Sequence, residues 1–222
     1  MTDGADEYEA VVFDMDGVLL EGAATPAEVY ADAADDALES FGVEVPESER
    51  ARFRQHSYDE RLIEKCEAFG IEPEAFWERK EGFASKRANE RLANGARVPY
   101  PDTAVLSELP VTLGVVSNNR HETASFVARE LLDAEFAVVI GRDPTPEGFA
   151  KRKPNPHYLT RALTDLDVEN ALYVGDREKD MIAAQKAGID GALIRREHNQ
   201  KITCDDPPAH DITTLEQLRE LV

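Results

Sequence analysis

Four stretches of this chain place residue types able to do chemistry where chemistry is commonly done. Four apolar residues, Ala10 to Phe13, run into Asp14, and Asp16 follows just before Gly17. A short buried strand ending in two carboxylates is uneconomical as pure structure, because an unpaired charge is costly to bury. The pair therefore points to a chemical use. Ser117-Asn118-Asn119 closes the apolar run VTLGVV. Ser and Asn cap helices well, but the carboxyl end of a parallel strand is also where α/β sheets bind ligands, so both readings stand. Lys153 sits at the edge of a Pro-rich loop, where most single lysines are merely solvated. Asp176 follows Gly175 after the run ALYV, and Asp180 comes one helical turn later. An i, i+4 pair shares a helix face, so both carboxylates can look toward the strand ends; a helix N-cap is the plainer account of Asp176.

Short apolar runs position these residues. They fall at 11–13, 111–116, 136–140, 171–174 and 191–194, each followed by a polar turn and a helical pattern. That alternation is the signature of βα units and a parallel sheet. Nearly a hundred residues separate the first run from the second, far too many for one crossover helix, so something is inserted. The insert, about Thr25 to Val98, has helical spacing: Val29, Ala33, Ala37 and Phe41 form one stripe, and Leu62, Cys66 and Phe69 another. Gly22 with Pro26, and Pro99 with Pro101, mark its edges as paired hinges. His56, Trp77, Lys80, Arg87 and Arg91 lie inside it, where a core Trp or a solvated cation is the commoner outcome than a substrate contact.

Further along, RHETASFVARELL reads as a helix with Phe126, Val127, Leu131 and Leu132 on one side. RDPTPEGFAKRKPNP reads as a loop, with a helix starting near Asn155 to His157. Ala183, Ala184 and Ala187 suit a helix packed on the sheet, and TTLEQLRELV is expected as a closing amphipathic helix.

Bulk charge narrows the partners. The 222 residues carry 25 basic and 45 acidic side chains, a net charge of −20. Such a surface repels phosphate backbones and anionic lipid, which excludes nucleic acid and membrane as partners. The acidity is spread through DGADEYE, ADAADDALE and DDPPAHD rather than held in one tail. A halophilic protein in a high-salt cytoplasm is expected, since molar salt shortens the Debye length to about 3 Å; an ordinary acidic mesophile protein is the alternative. Cys66 and Cys204 show no CxxC or zinc-type spacing and are expected to be reduced. The acidic start MTDGADEYEA does not read as a secretory signal, and no apolar run approaches the roughly 18 residues of a membrane span. A soluble, cytoplasmic protein is the resulting expectation. There is no GxxxxGK loop, GxGxxG turn, HExxH or GxSxG, and the five histidines at 56, 121, 157, 198 and 210 lack ligand spacing.

Taken together and in this order, Asp14-Met15-Asp16-Gly17, Ser117, Lys153 in KPNP, and Gly175-Asp176 with Asp180 resemble the four motifs of the haloacid dehalogenase (HAD) superfamily. The resemblance spans Glu9 to Ile194. It implies an α/β fold, a Rossmann-like doubly wound parallel sheet, with an inserted α-helical cap like that of the phosphoglycolate phosphatase and β-phosphoglucomutase group. The core would comprise 1–22 and 98–222, and the cap 23–97. Asp14 would be the nucleophile that forms an aspartyl-phosphate, and Asp16 the general acid and base. Mg²⁺ would be held by the side chains of Asp14 and Asp176 and the backbone carbonyl of Asp16. Ser117, the Asn118 amide and Lys153 would grip the phosphoryl oxygens, with Asp180 orienting Lys153 or a metal-bound water. A second Asp argues against a dehalogenase, and DGVL in place of the commoner DGTL leaves the chemistry untouched.

The expected activity is hydrolysis of a small phosphorylated metabolite by a monomer or homodimer, with a phosphosugar mutase as the rival reading. A catalytically silent ligand-binding protein is a third.

Overall fold

A computed structural model describes residues 8–22 and 25–222 of the chain. Most of the acidic start at 1–7, and residues 23 and 24 of the first expected hinge, lie outside the described residues. The chain divides into two compact units. One is built from the described residues before 24, from Arg97–Arg142 and from Lys151–Val222; the other from the described residues up to Ala96 and from Asp143–Ala150.

The first unit is a six-stranded parallel sheet in the order β3-β2-β1-β4-β5-β6. Its strands are β1 Ala10–Phe13, β2 Thr112–Arg120, β3 Val138–Arg142, β4 Ala171–Gly175, β5 Asp190–Ile194 and β6 His210–Ile212. All four residues of β1 are fully buried, because the strand is flanked on both sides and needs apolar side chains on both faces. Phe13 is in register with Val115 of β2 and Val174 of β4, so Asp14 and Asp176, just beyond β1 and β4, meet at one edge with Ser117, which lies within β2 before its register shift.

The helices of this unit are α5 His121–Glu130, α7 His157–Leu166 and α8 Glu178–Ala187. Tyr158, Leu159 and Ala162 of α7 and Ala183 and Ala184 of α8 pack on Val12, Val116 and Tyr173 of the sheet. Three expectations need correction here. The buried side of α5 is Thr123, Ala124, Val127 and Ala128, with Phe126 only partly buried. The helix stops at Glu130, so Leu131 and Leu132 fall outside the repeat that was to align them. The tail closes as a 3₁₀ helix, Leu215–Glu220, whose buried Leu215 and Leu218 are three residues apart, as that tighter turn requires. β6 is an addition the periodicity did not reveal.

The second unit is helical: α1 Ala27–Phe41, α2 Glu47–Arg54, α3 Glu60–Ala68, α4 Pro73–Ala93 and the short α6 Pro146–Ala150. Val29, Ala33 and Ala37 are buried as their spacing requires, with Phe41 half-buried beside them, and Leu62 and Cys66 are buried on α3. Trp77 is core. The segment Asp143–Ala150, expected in the core domain, joins this unit because Phe149 packs edge-on against Trp77 at 4.9 Å and His56 at 5.1 Å. The His56 ring is stacked on Tyr30 at 3.7 Å and on Trp77 at 5.3 Å, and its Nε2 meets buried Glu81 at 2.7 Å.

Lys80 is fully buried and donates to the carbonyls of Phe53 and Gln55 at the end of α2, at 2.6 and 2.7 Å. Burial draws its pKa down to about 8. It satisfies helix-end carbonyls that would otherwise be orphaned. Arg87 pairs with Asp36, and Arg91 with Glu28, as surface cations linking α4 to α1.

Candidate active site

All the residues that follow belong to the sheet unit. After β1 the chain turns at once: Leu19 and Leu20 donate to the Met15 carbonyl at 3.0 Å, and the Gly17 amide donates to Leu20 O at 2.8 Å. Gly17 has a φ of +83°, and a Cβ there would lie 2.4 Å from Asp176 Oδ2. Glycine is required on both counts. Gly175 serves a similar need, since a Cβ on it would lie 2.3 Å from the Cβ of Asp180. The glycines of both acidic motifs thus let the carboxylates of the other elements close in.

Lys153 sits at the centre. Its Nζ is 3.0 Å from Asp14 Oδ1, 2.8 Å from Asp180 Oδ1 and 2.5 Å from the Tyr173 hydroxyl, which donates to Val116 O at 2.8 Å. Burial works against the ammonium charge, but Asp14 and Asp180 outweigh it and hold the pKa well above the ordinary lysine value. The backbone of Lys153 is clamped as well: its amide donates to Asn118 Oδ1 at 2.8 Å, and Asn118 Nδ2 donates to its carbonyl at 3.1 Å. Buried Ser117 accepts at Oγ from the Asn119 amide at 3.1 Å.

Neither cap reading survives. The N-cap of α5 is Arg120, not a residue of Ser117-Asn118-Asn119, and the N-cap of α8 is Arg177, not Asp176. Asp180 lies at the third position of α8 and accepts from the Arg177 amide at 3.1 Å.

Asp14, Asp176 and Asp180 are buried, and each contributes an oxygen to a cluster within 4.8 Å. Burial, then the proximity of Asp14 and Asp180, pushes Asp176 up to about 6. Burial and Asp14 raise Asp180 as well, against the pull of Lys153. Asp176 Oδ2 is 2.7 Å from His198 Nε2, whereas its Oδ1 is buried without a hydrogen-bond partner among the described residues. Hard anionic oxygens crowded together, one of them unsatisfied, fit a divalent cation such as Mg²⁺. The side-chain cluster differs in membership from the expected ligand set of Asp14, Asp16 and Asp176. The Asp16 carboxylate turns elsewhere, to Arg97 Nη1 at 2.6 Å and Asn119 Nδ2 at 3.1 Å, and its implied metal ligand is its backbone carbonyl.

Arg97, Tyr173, His198 and Asn199 contact these residues and were not singled out by spacing. Arg97 also donates to the carbonyls of Glu21 and Gly22, at 2.5 and 2.6 Å. It lies beside the isolated antiparallel bridge between Leu20 and Pro99, where Glu21 N donates to Val98 O and Tyr100 N to Leu19 O. Asn119 was legible in principle, as the third residue of a polar triplet at a strand end.

A family model described as haloacid dehalogenase-like hydrolase matches residues 8–188. The chain belongs to that family. As a HAD-like hydrolase it is 30% identical over 200 residues to a phosphoglycolate phosphatase of Neisseria meningitidis, covering 85% of this chain and 80% of that protein. It is 29% identical over 190 residues to a phosphoglycolate phosphatase of Photorhabdus laumondii, covering 81% and 76%. Among solved structures, CbbY from Rhodobacter sphaeroides in complex with phosphate shares the fold with a TM-score of 0.60 at 19% identity, covering 95% and 96% of the two chains. The fold is therefore shared with a protein of known structure.

Proposed function

We propose that this HAD-like hydrolase is a Mg²⁺-dependent phosphatase of a small phosphorylated metabolite, with phosphoglycolate as the first substrate to try. The observation that carries the reading is Lys153 Nζ held 3.0 Å from Asp14 and 2.8 Å from Asp180, beside Asp176. Two carboxylates, Asp14 and Asp180, face an immobilised cation, and a third acid, Asp176, stands next to them. The phosphoglycolate phosphatases aligned over most of the chain favour hydrolysis over the mutase reading.

In the first step an Asp14 oxygen attacks phosphorus and the bond to the ester oxygen breaks, with Asp16 giving that oxygen its proton. In the second, water loses a proton to Asp16, attacks the same phosphorus and releases Asp14. Ser117, the Asn118 amide and the Lys153 ammonium hold the phosphoryl oxygens, and the Asn118 side chain keeps the lysine backbone in place. Asp180 acts through Lys153, which it holds by an ion pair at 2.8 Å. Asp14, Asp176 and the Asp16 carbonyl would hold Mg²⁺, which supplies the positive charge that lets a carboxylate approach a phosphate dianion.

Phosphate release from phosphoglycolate and a panel of sugar and aryl phosphates, with Mg²⁺ and then with EDTA, tests the proposal. Mg²⁺-dependent release of inorganic phosphate is expected. Isomerisation of a hexose phosphate with almost no release would establish the mutase instead. Tight binding of an ester without any turnover would leave a silent binding protein.

A further inference from the structure

The loop after β5 grips Asp176 from outside the acidic cluster. Asn199 is buried, and its Nδ2 donates both to the Asp176 carbonyl at 2.7 Å and to Ile194 O at 2.8 Å, while its Oδ1 accepts from the Arg196 amide at 2.6 Å. Arg196 anchors the same loop on its other side: Nη1 meets Asp102 at 2.7 Å, Nη2 donates to Val18 O at 2.9 Å, and the guanidinium lies 3.9 Å from the centre of the Tyr100 ring. A loop tied down at both ends delivers His198 to Asp176 Oδ2 at 2.7 Å. Gly17 leaves the room for this, since a Cβ on it would stand 3.0 Å from His198 Nε2. The competing cation, Arg177, is 3.7 Å from the same oxygen on a side chain that is 38% exposed, too far for a hydrogen bond.

We infer that His198 is a positioning residue for metal binding: its Nε2–H holds Oδ2 of Asp176, so that Oδ1 alone is presented to the cation. The inference rests on the Mg²⁺ reading above. Its physical reason is repulsion. Asp176 stands beside Asp14 and Asp180, and a free carboxylate there would rotate away from its neighbours. The histidine pins one oxygen and leaves the other, buried and without a hydrogen-bond partner among the described residues, for the cation. Groups that orient a ligand in this way typically change metal affinity 10- to 100-fold.

Calorimetric titration of Mg²⁺ into the metal-free protein at neutral pH reads the effect without any substrate. Wild type, His198→Ala and His198→Gln are compared, and circular dichroism establishes that each is folded. Glutamine places an N–H donor near the position of Nε2. His198→Ala should bind Mg²⁺ roughly 10- to 100-fold more weakly, and His198→Gln should recover most of the loss. Should the alanine variant not fold, His198→Met supplies the same contrast with glutamine while filling more of the space. Equal affinity in the wild type and the donor-free variant overturns the inference, as does a glutamine variant no better than alanine. A wild type that binds no Mg²⁺ overturns the metal reading itself, an outcome distinct from the other two.

Discussion

At Asp14 a single carboxylate meets the Lys153 ammonium and stands in a cluster with two other buried acids. Asp14→Asn keeps the volume but removes the attacking oxygen's charge, so phosphate release should fall by about 10⁴-fold or more while the fold persists. Turnover within about tenfold of wild type would remove Asp14 from the role of nucleophile. Asp176 yields a second expectation. With its pKa lifted from 3.8 to about 6, the folded metal-free protein holds a proton there that the unfolded chain has already lost. Stability from this group is therefore full below about pH 4 and declines as pH rises through 6. Mg²⁺ has no proton to displace above that range, so its gain in melting temperature should be larger at pH 7.5 than at pH 5. A gain that is equal, or larger at pH 5, would show that Asp176 is not a ligand. Asp14, Asp16, Lys153, Asp176 and Asp180 were legible because each stands within a short motif at a strand or helix end. His198 and Arg97 were not, since they reach their carboxylates across 22 and 81 residues of sequence, from loops with no periodic signal.

Between elements, the tightest constraint is the approach of β4 to α8. Gly175 ends the strand against the Asp180 side chain, and an added methyl would meet a Cβ at 2.3 Å, which no rotamer change can relieve. Gly175→Ala should therefore cost about 1–3 kcal/mol of stability as strand and helix move apart. It should also lower turnover, because Asp180 holds Lys153 at 2.8 Å. Thermal unfolding and phosphate release on the same preparation check both parts; an alanine variant as stable and active as wild type would mean that the contact is slack. Sequence was most informative about elements buried on both faces. β1 and β4 are continuous apolar runs, and their ends fell where the polar residues begin. It was least informative where few residues or a shifted face decide the outcome. β6 has three residues, too few for a period, and on α5 small Ala124 and Ala128 are buried where larger Phe126 was expected. The helical insert was readable from its stripes, but the return of Asp143–Ala150 to it depends on Phe149 meeting Trp77, a contact that no local pattern announces.

For the molecule as a whole, charge is the property that sequence states most directly and folding changes least. Its described ion pairs, such as Arg54 with Glu47 and Arg87 with Asp36, neutralise some acidic groups, but 45 acids against 25 bases leave twenty that no base can match. Exposed pairs are worth little, typically under about 1 kcal/mol each, and salt weakens them. Salt also weakens the repulsion among the unmatched carboxylates, and the two effects oppose one another. With twenty charges in excess, repulsion should win: shortening the Debye length from about 10 Å at 0.1 M to about 3 Å at 1 M removes a long-range cost that compactness imposes. Added KCl should therefore raise the melting temperature of the metal-free protein, most steeply at the low end of the range. The acidic cluster at Asp14, Asp176 and Asp180 is buried and screened much less, so this rise should be retained in Asp14→Asn. KCl suits the measurement better than sulfate, which strengthens apolar burial whatever the charge. A melting temperature that is flat or falling between 0.1 M and 2 M KCl would mean that ion pairing outweighs repulsion, and the halophilic reading of the acidic surface would fall with it.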